Sequence, residues 1–144
     1  KRSFELNRLE CSVADQKVLV NTKTTRTKDK SFAGAVNSHI KNMIRGVNDG
    51  YTYKLKVCYA HFPVNLSVEG DTLVIKNFCG EKTPRRAKIV ADTKVDIKGQ
   101  DITLTGLNRE AVGQTAGNIE QATKIGKRDT RRFQDGIFIT SKDR

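Results

Sequence analysis

The sequence predicts an α+β protein with two similar small domains in tandem, each a mostly antiparallel sheet packed with one helix. Two stretches, residues 31–47 and 112–125, carry apolar side chains at spacings of three and four, which is typical of helices that bury one face. Two others, residues 64–75 and 95–107, alternate apolar and polar positions around a Gly-containing turn, which indicates β-hairpins. Strands, a helix and a closing strand occur twice in the same order, so we expect a duplicated α/β unit.

The first domain is expected over residues 1–60. Short strands are predicted before residue 21, and the basic segment 21–31, which contains no apolar residue, is predicted to be a loop before the helix. The strand predicted over residues 51–60 alternates with period two, which places Lys54 and Lys56 on its outer face.

The second domain is expected over residues 61–144. Its two hairpins are separated by residues 82–88, a stretch rich in Lys and Arg in which Pro84 disfavours a helix and favours an extended loop. A basic segment follows the second helix, and the apolar triplet at residues 137–139 predicts the closing strand.

The charge balance indicates an anionic partner. The 144 residues include 27 Lys and Arg against 16 Asp and Glu, a net charge of +11 at pH 7, while 36% of the residues are hydrophobic. Such a chain is expected to fold and to attract a polyanion. No apolar stretch approaches the ~18 residues of a membrane helix, and the cations do not line one face of an amphipathic helix. We therefore expect a nucleic acid as the partner, and neither a membrane nor a small-molecule substrate.

Two dense basic clusters are the candidate binding residues. Arg suits bidentate contacts with phosphate, and phosphate contacts supply most of the affinity for nucleic acids. The first cluster comprises Lys82, Arg85, Arg86 and Lys88, and the second comprises Lys124, Lys127, Arg128, Arg131 and Arg132. The second cluster follows the second helix directly, so we expect the helix to fix where the charges of this cluster point.

Phe133 stands next to Arg132, and two interpretations of it remain open. Its ring can stack on an unpaired base, or it can anchor in the core the turn that Asp135 and Gly136 predict. Since most phenylalanine side chains are buried, the binding prediction rests on the cations more than on the ring.

Catalytic and metal chemistry are not indicated. The two histidines, His39 and His61, are not recognisably paired with a nucleophile, and Cys58 with His61 supplies only two of the four ligands that a structural zinc needs. The three cysteines form no disulfide framework and are expected to be reduced thiols of an intracellular protein. The signatures of the RRM and KH modules are also missing. We therefore expect no catalytic residue, no cofactor and no metal, and RNA recognition by shape and phosphate.

Four motifs in order resemble the universal large-subunit ribosomal protein six family, which is called protein nine in the eukaryotic large subunit. They span nearly the whole chain, and the last has the archaeal and eukaryotic form. The motifs are SHIKNMIRGV with GYTYK (residues 38–54), YAHFPVN (59–65), NFCGEK (77–82), and IEQAT (119–123) followed by RFQDGI (132–137).

The resemblance implies two tandem α/β domains of like topology and a structural, non-enzymatic role in the large subunit of cytoplasmic ribosomes. It also implies a place near the base of the factor-binding stalk, where the second domain contacts rRNA close to the sarcin-ricin loop. The partners would be large-subunit rRNA, neighbouring ribosomal proteins and, indirectly, translation factors. The rRNA contacts that it implies are Lys82, Arg85, Arg86, Gln121, Lys124, Lys127, Arg128, Arg131 and Arg132.

The family normally has more residues at the amino end, including strands of the first domain, so we expect the first domain to be incomplete there. Two other functions fit the same charge pattern. The first is a free RNA chaperone or ribosome assembly factor without a permanent place in the particle. The second is a nucleic-acid-processing enzyme that would depend on Asp135 or His61.

Overall fold

The structure of the protein is a computed structural model that describes residues 9–14, 17–24, 26–126, 128–129 and 131–143. By its internal contacts the chain divides into two compact units, Lys1–Arg45 and Gly46–Arg144. The described residues form two α-helices and nine strands, and every strand pair is antiparallel. The predicted α+β class is confirmed.

The first unit contains one two-stranded sheet and the greater part of a long helix. Its elements are β1 (Leu9–Ala14), β2 (Lys17–Thr22) and α1 (Thr27–Asn48), the last of which ends in the second unit. Asp29 is buried in the first turn of α1, where it accepts a hydrogen bond from the hydroxyl of Thr24. A carboxylate near a helix N-terminus is favourable. The helix therefore begins inside the segment 21–31, which was expected to be a loop throughout.

The apolar stripe of α1 is only partly buried. Val36 lies in the core, whereas Ile44 and Val47 are exposed, the latter to 74%. The predicted apolar face of this helix is therefore buried at Val36 but not at its C-terminal end. A period of three and four identifies a helix, but it does not reveal what covers each turn of it.

The second unit contains a four-stranded sheet of order β7–β8–β3–β9 and a three-stranded sheet of order β4–β5–β6. Their strands are β3 (Tyr51–Cys58), β4 (Asn65–Glu69), β5 (Thr72–Lys76), β6 (Arg85–Lys88), β7 (Lys94–Lys98), β8 (Asp101–Gly106) and β9 (Gly136–Lys142). Gly70 and Gly99 form the two hairpin turns with φ angles of 57° and 62°. Glycine, which has no Cβ atom, adopts this left-handed conformation at little cost.

The neighbours of β3 differ from those that the sequence suggests. The strand pairs with β8 on one side and β9 on the other, both of them in the second unit. The sequence placed it in the first domain, over residues 1–60, whereas the division by contacts falls between Arg45 and Gly46. Alternation within a strand predicts its two faces but not its partners, and the boundary of the repeats themselves stays a prediction.

Residues 85–88 form a strand, β6, where an extended loop was predicted. They pair with β5, and Arg86 stands opposite Val74. Pro84 immediately precedes the strand, a position at which its missing N–H removes no hydrogen bond from the sheet.

The core of the second unit joins both sheets to the helix α2 (Arg109–Ala122), which contacts β6 of one sheet and β3, β8 and β9 of the other. Leu55, Leu73, Ile102 and Ile119 are almost completely buried there. α2 begins three residues before the predicted start because the side chain of Asn108 accepts a hydrogen bond from the N–H of Glu110, at 3.0 Å. Within the described ranges, no helix is long and apolar enough to span a bilayer.

Candidate nucleic-acid interface

Two buried threonines tie α2 to neighbouring segments, Thr115 in the middle of the helix and Thr123 at its end. The hydroxyl of Thr115 accepts a hydrogen bond from the N–H of Val90, at 3.0 Å. Thr123, the first residue after α2, accepts one from the N–H of Ile137 at 3.1 Å and donates to the carbonyl of Glu120, also at 3.1 Å. Both side chains are buried. The C-terminal end of α2 is therefore tied to the start of β9, and the basic residues that follow leave from a fixed point.

Arg85 also binds this helix end from the first residue of β6. Its Nε and Nη2 atoms donate to the two carboxylate oxygens of Glu81, at 2.8 and 2.6 Å. Its Nη1 atom donates to the carbonyls of Ala122 and Lys124, at 2.9 and 3.1 Å. The guanidinium carbon also lies 4.4 Å from the centre of the Phe78 ring. Four of the five N–H groups of this side chain therefore donate within the protein.

The ion pair between Arg85 and Glu81 shifts the pKa of both side chains. The hydrogen bond from Arg85 lowers the pKa of Glu81, although partial burial acts in the opposite direction. The hydrogen bond to Glu81 raises the pKa of Arg85. The two side chains are 25% and 41% exposed, so solvent screens the pair in part. Arg85 therefore already binds groups within the protein, and it is a weaker candidate for phosphate contact than its neighbours.

The motif at residues 77–82 builds the turn that presents Glu81. Asn77 and Cys79 have positive φ angles of 60° and 51°, and the side chain of Asn77 donates to the carbonyl of Pro63 at 3.0 Å. Phe78 is buried within the short 3-10 turn. Burial, and then the negative charge of Asp135, raise the pKa of the Cys79 thiol. This turn thus holds the Arg85 pair next to the end of α2.

The other cations of the first cluster face solvent. Because side chains of a strand alternate between its two faces, Arg86 and Lys88 point away from Arg85 and the buried Ala87. Arg86, Lys88 and Lys82 are all exposed. They remain available to a phosphate backbone.

The second cluster begins at the tied end of α2. Gln121 and Lys124 are exposed there, and Lys127 lies outside the residues that the structure describes. The guanidinium carbon of Arg128 lies 5.0 Å from the centre of the Phe133 ring. Phe133 is 39% exposed, so the interpretation of this ring as a core residue is wrong.

The remaining cations of this cluster lie on a turn that Asp129 organises. The carbonyl of Asp129 accepts from the N–H groups of Arg132 and Phe133, at 3.1 and 2.9 Å. Its carboxylate accepts from Arg131 at 3.0 Å, which lowers the pKa of Asp129 and raises that of Arg131. The Arg131 side chain is nevertheless 90% exposed, and Arg132 is exposed too.

A groove of about 820 Å³ opens beside this cluster, within the second unit. We name it the aromatic groove, and its principal lining residues are Tyr59, Gln121, Lys124, Phe133, Asp135 and Phe138. The carboxylate of Asp135 accepts a hydrogen bond from the N–H of Ala60 at 2.9 Å, which joins two walls of the groove. Sequence reasoning missed Tyr59 and Phe138. The strand pattern could have indicated Phe138: residues 137 and 139 face inward, so the side chain between them faces outward.

The structure brings the two clusters together at one point, where Arg85 binds the carbonyl of Lys124. Among the described residues there is no group of three or more His, Cys, Asp or Glu side chains that could hold a metal ion. Of the two residues that the enzymatic alternative depends on, Asp135 binds a backbone N–H, and His61 makes an edge-on contact with Phe62, with 4.9 Å between the ring centres.

Comparisons with known proteins agree with the motif resemblance. Residues 62–136 match the family model described as Ribosomal protein L6. The chain is similar to the Large ribosomal subunit protein uL6 of Methanosphaera stadtmanae, with 51% identity over 99% of this chain and 78% of that protein. The proteins of the same name from Methanobrevibacter smithii and Methanosarcina mazei are 47% and 48% identical over 99% of this chain, and over 80% and 81% of their own lengths.

Proposed function

Because the chain belongs to the ribosomal protein L6 family, we propose that it binds rRNA near the base of the factor-binding stalk and the sarcin-ricin loop. The protein is a non-enzymatic, structural component of the large ribosomal subunit in the cytoplasm, a particle that it shares with rRNA and other ribosomal proteins. The finer proposal concerns which side chains meet the rRNA and what holds them in place.

One observation carries this proposal: exposed cations surround a helix end that buried hydrogen bonds fix. The N–H of Ile137 in β9, which donates to Thr123, and the side chain of Arg85 in β6 hold the end of α2 from two different strands. Because little side-chain and backbone motion remains to be lost at the anchor, binding costs less entropy than it would for a free basic tail. The proposed rRNA contacts are Lys82, Arg86, Gln121, Lys124, Lys127, Arg128, Arg131 and Arg132, with Arg85 in a supporting position.

Salt dependence tests the second cluster. The combined variant Arg128→Ala, Arg131→Ala and Arg132→Ala should reduce the log–log salt slope of binding to large-subunit rRNA by about 0.7–0.9 for each phosphate that the variant no longer neutralises. The control removes three exposed lysines of α1, as Lys28→Ala, Lys30→Ala and Lys41→Ala, and changes the net charge equally. A slope that falls by the same amount in both variants would show that only net charge matters, and it would refute the proposed interface.

A free RNA chaperone or assembly factor remains the alternative, since it shares the same charge pattern. Sedimentation of large subunits through a high-salt gradient separates the two functions. We expect the tagged chain to remain with the subunits, whereas an assembly factor would be recovered mostly at the top of the gradient. Substitutions are preferable to removal of residues 124–144, because that truncation also deletes β9 from the sheet of β3.

A further inference from the structure

We propose that the aromatic groove receives one unstacked nucleobase of the bound RNA, which stacks on the ring of Phe138. This inference rests on the proposed RNA binding and deepens it, because it adds a base-binding site to a surface otherwise described by its phosphate contacts. The groove lies directly beside the second cluster and shares Lys124 with it.

The lining of the groove suits a planar ring. Tyr59, Phe133 and Phe138 are each between 38% and 46% exposed and all line this one cavity. Clustered exposed apolar side chains mark binding sites more often than ordinary surface, and aromatic faces are the platforms on which unpaired bases stack. A volume of about 820 Å³ lies within the range of about 300–1,000 Å³ that small-molecule sites occupy. A base with its ribose fits such a space.

Phe138 is held in place by its own strand. A Cβ atom at Gly136 would lie 2.8 and 3.0 Å from two carbons of the Phe138 ring. The absence of a side chain at Gly136 therefore lets the ring lie against the backbone, with its outer part exposed. Lys56 is the cross-strand partner of Phe138 on β3, and such partners lie on the same face of a sheet. Lys56 and Phe138 therefore project from the same face of the sheet.

Charge determines which part of a nucleotide enters. Glu120 and Asp135 line the groove, so a phosphate inside it would meet like charge. A base is uncharged, and the amino groups of adenine, cytosine and guanine donate hydrogen bonds to such acceptors. Lys124 at the groove and Arg128 beside Phe133 are positioned for the flanking phosphates. The same cations disfavour a basic peptide, which the two carboxylates alone would attract.

Two probes test the inference with the full chain. One is a ribohexaadenylate with 2-aminopurine at a central position, and the other is an abasic ribose–phosphate hexamer. We expect the 2-aminopurine fluorescence to change on binding, because the base leaves its stack with the neighbouring adenines, and the base-containing probe to bind roughly 5- to 150-fold more tightly, the range for one base–aromatic stack. Phe138→Leu should remove most of this difference without changing the salt slope, because stacking on a neutral ring releases no counterions.

Phe62→Leu is the matched control, since Phe62 is exposed to a similar degree and does not line the groove. Gly136→Ala is the second variant: it keeps Phe138 but displaces the ring, so it should weaken the base-containing probe alone. An unchanged 2-aminopurine fluorescence, equal affinity for the two probes, or an unchanged affinity in Phe138→Leu would each overturn the inference. None of these results bears on the proposed function, which fails separately if the native chain has no preference for large-subunit rRNA.

Discussion

The two basic clusters of the second unit use their arginines differently. In the first, Arg85 donates to a carboxylate and to two carbonyls at the end of α2. In the second, Arg131 contacts the neighbouring Asp129, and most of its side chain faces solvent. The same residue type thus fixes a helix end at one site and remains accessible to RNA at the other. A basic cluster identified from sequence can therefore include cations that bind the protein itself.

The largest effect is expected from Arg85→Ala. The variant leaves Glu81 without its partner and removes two hydrogen bonds from the end of α2, so the free energy of unfolding should fall by about 2–3 kcal/mol. This is less than the ~3–5 kcal/mol for breaking a fully buried pair, because solvent reaches both side chains. Urea denaturation measures the change. Arg86→Ala, the neighbouring exposed residue, should change stability by no more than ~0.5 kcal/mol, and equal losses in the two variants would contradict the comparison.

Thr123→Val tests the second anchor of the same helix end. The substitution keeps the shape of the side chain but leaves the buried N–H of Ile137 without its acceptor, which should cost about 1–2 kcal/mol. Thr123→Ser retains the hydroxyl and should lose less. Hydrogen exchange at the Ile137 amide should be faster in the Val variant than in the Ser variant. Identical exchange rates would show that this hydrogen bond does not hold β9.

Lys82→Ala and Arg86→Ala should produce the opposite pattern to Arg85→Ala. Each is expected to lower the salt slope of rRNA binding by about 0.7–0.9 and to leave the unfolding transition almost unchanged. Filter binding over a salt series, together with urea denaturation, checks both parts. An unchanged slope in both variants would remove the first cluster from the interface and leave the second as the binding surface.

The smallest effect concerns acid stability. The pKa of Glu81 is lowered in the folded protein, so its contribution is complete at neutral pH. That contribution is lost as the pH falls from the ordinary glutamate value of about 4.3 through the lowered one. Glu81→Gln should therefore lose less stability than the native chain across this acid range, as measured by thermal denaturation. Asp129→Asn is the control, since the pKa of Asp129 is also lowered but its ion pair with Arg131 is exposed.

The sequence predicted those features that depend on local pattern. The helix expected over residues 112–125 occurs as Arg109–Ala122, and the alternation of residues 51–60 occurs as β3. The features it missed depend on partners distant in the chain. The strand β6 exists because β5 lies beside it, and Arg85 differs from Arg86 only because a strand sends them to opposite faces.

The candidate site shows the same limit. The composition and spacing of residues 124–132 predicted a basic segment after a helix, and the described residues of this segment do follow α2. The aromatic groove was not predicted, because Tyr59, Gln121 and Phe138 come from a strand end, a helix end and a second strand. The rRNA contacts at individual residues stay a prediction.

The pairing of β3 with β9 has a consequence for how the chain is made. Ribosomes synthesise a protein from its amino end, so β3 emerges long before β9, and one edge of β3 has no partner until residues 136–142 leave the exit tunnel. An open strand edge is a template for pairing with other chains. A nascent chain that ends after α2 therefore presents this edge to its surroundings.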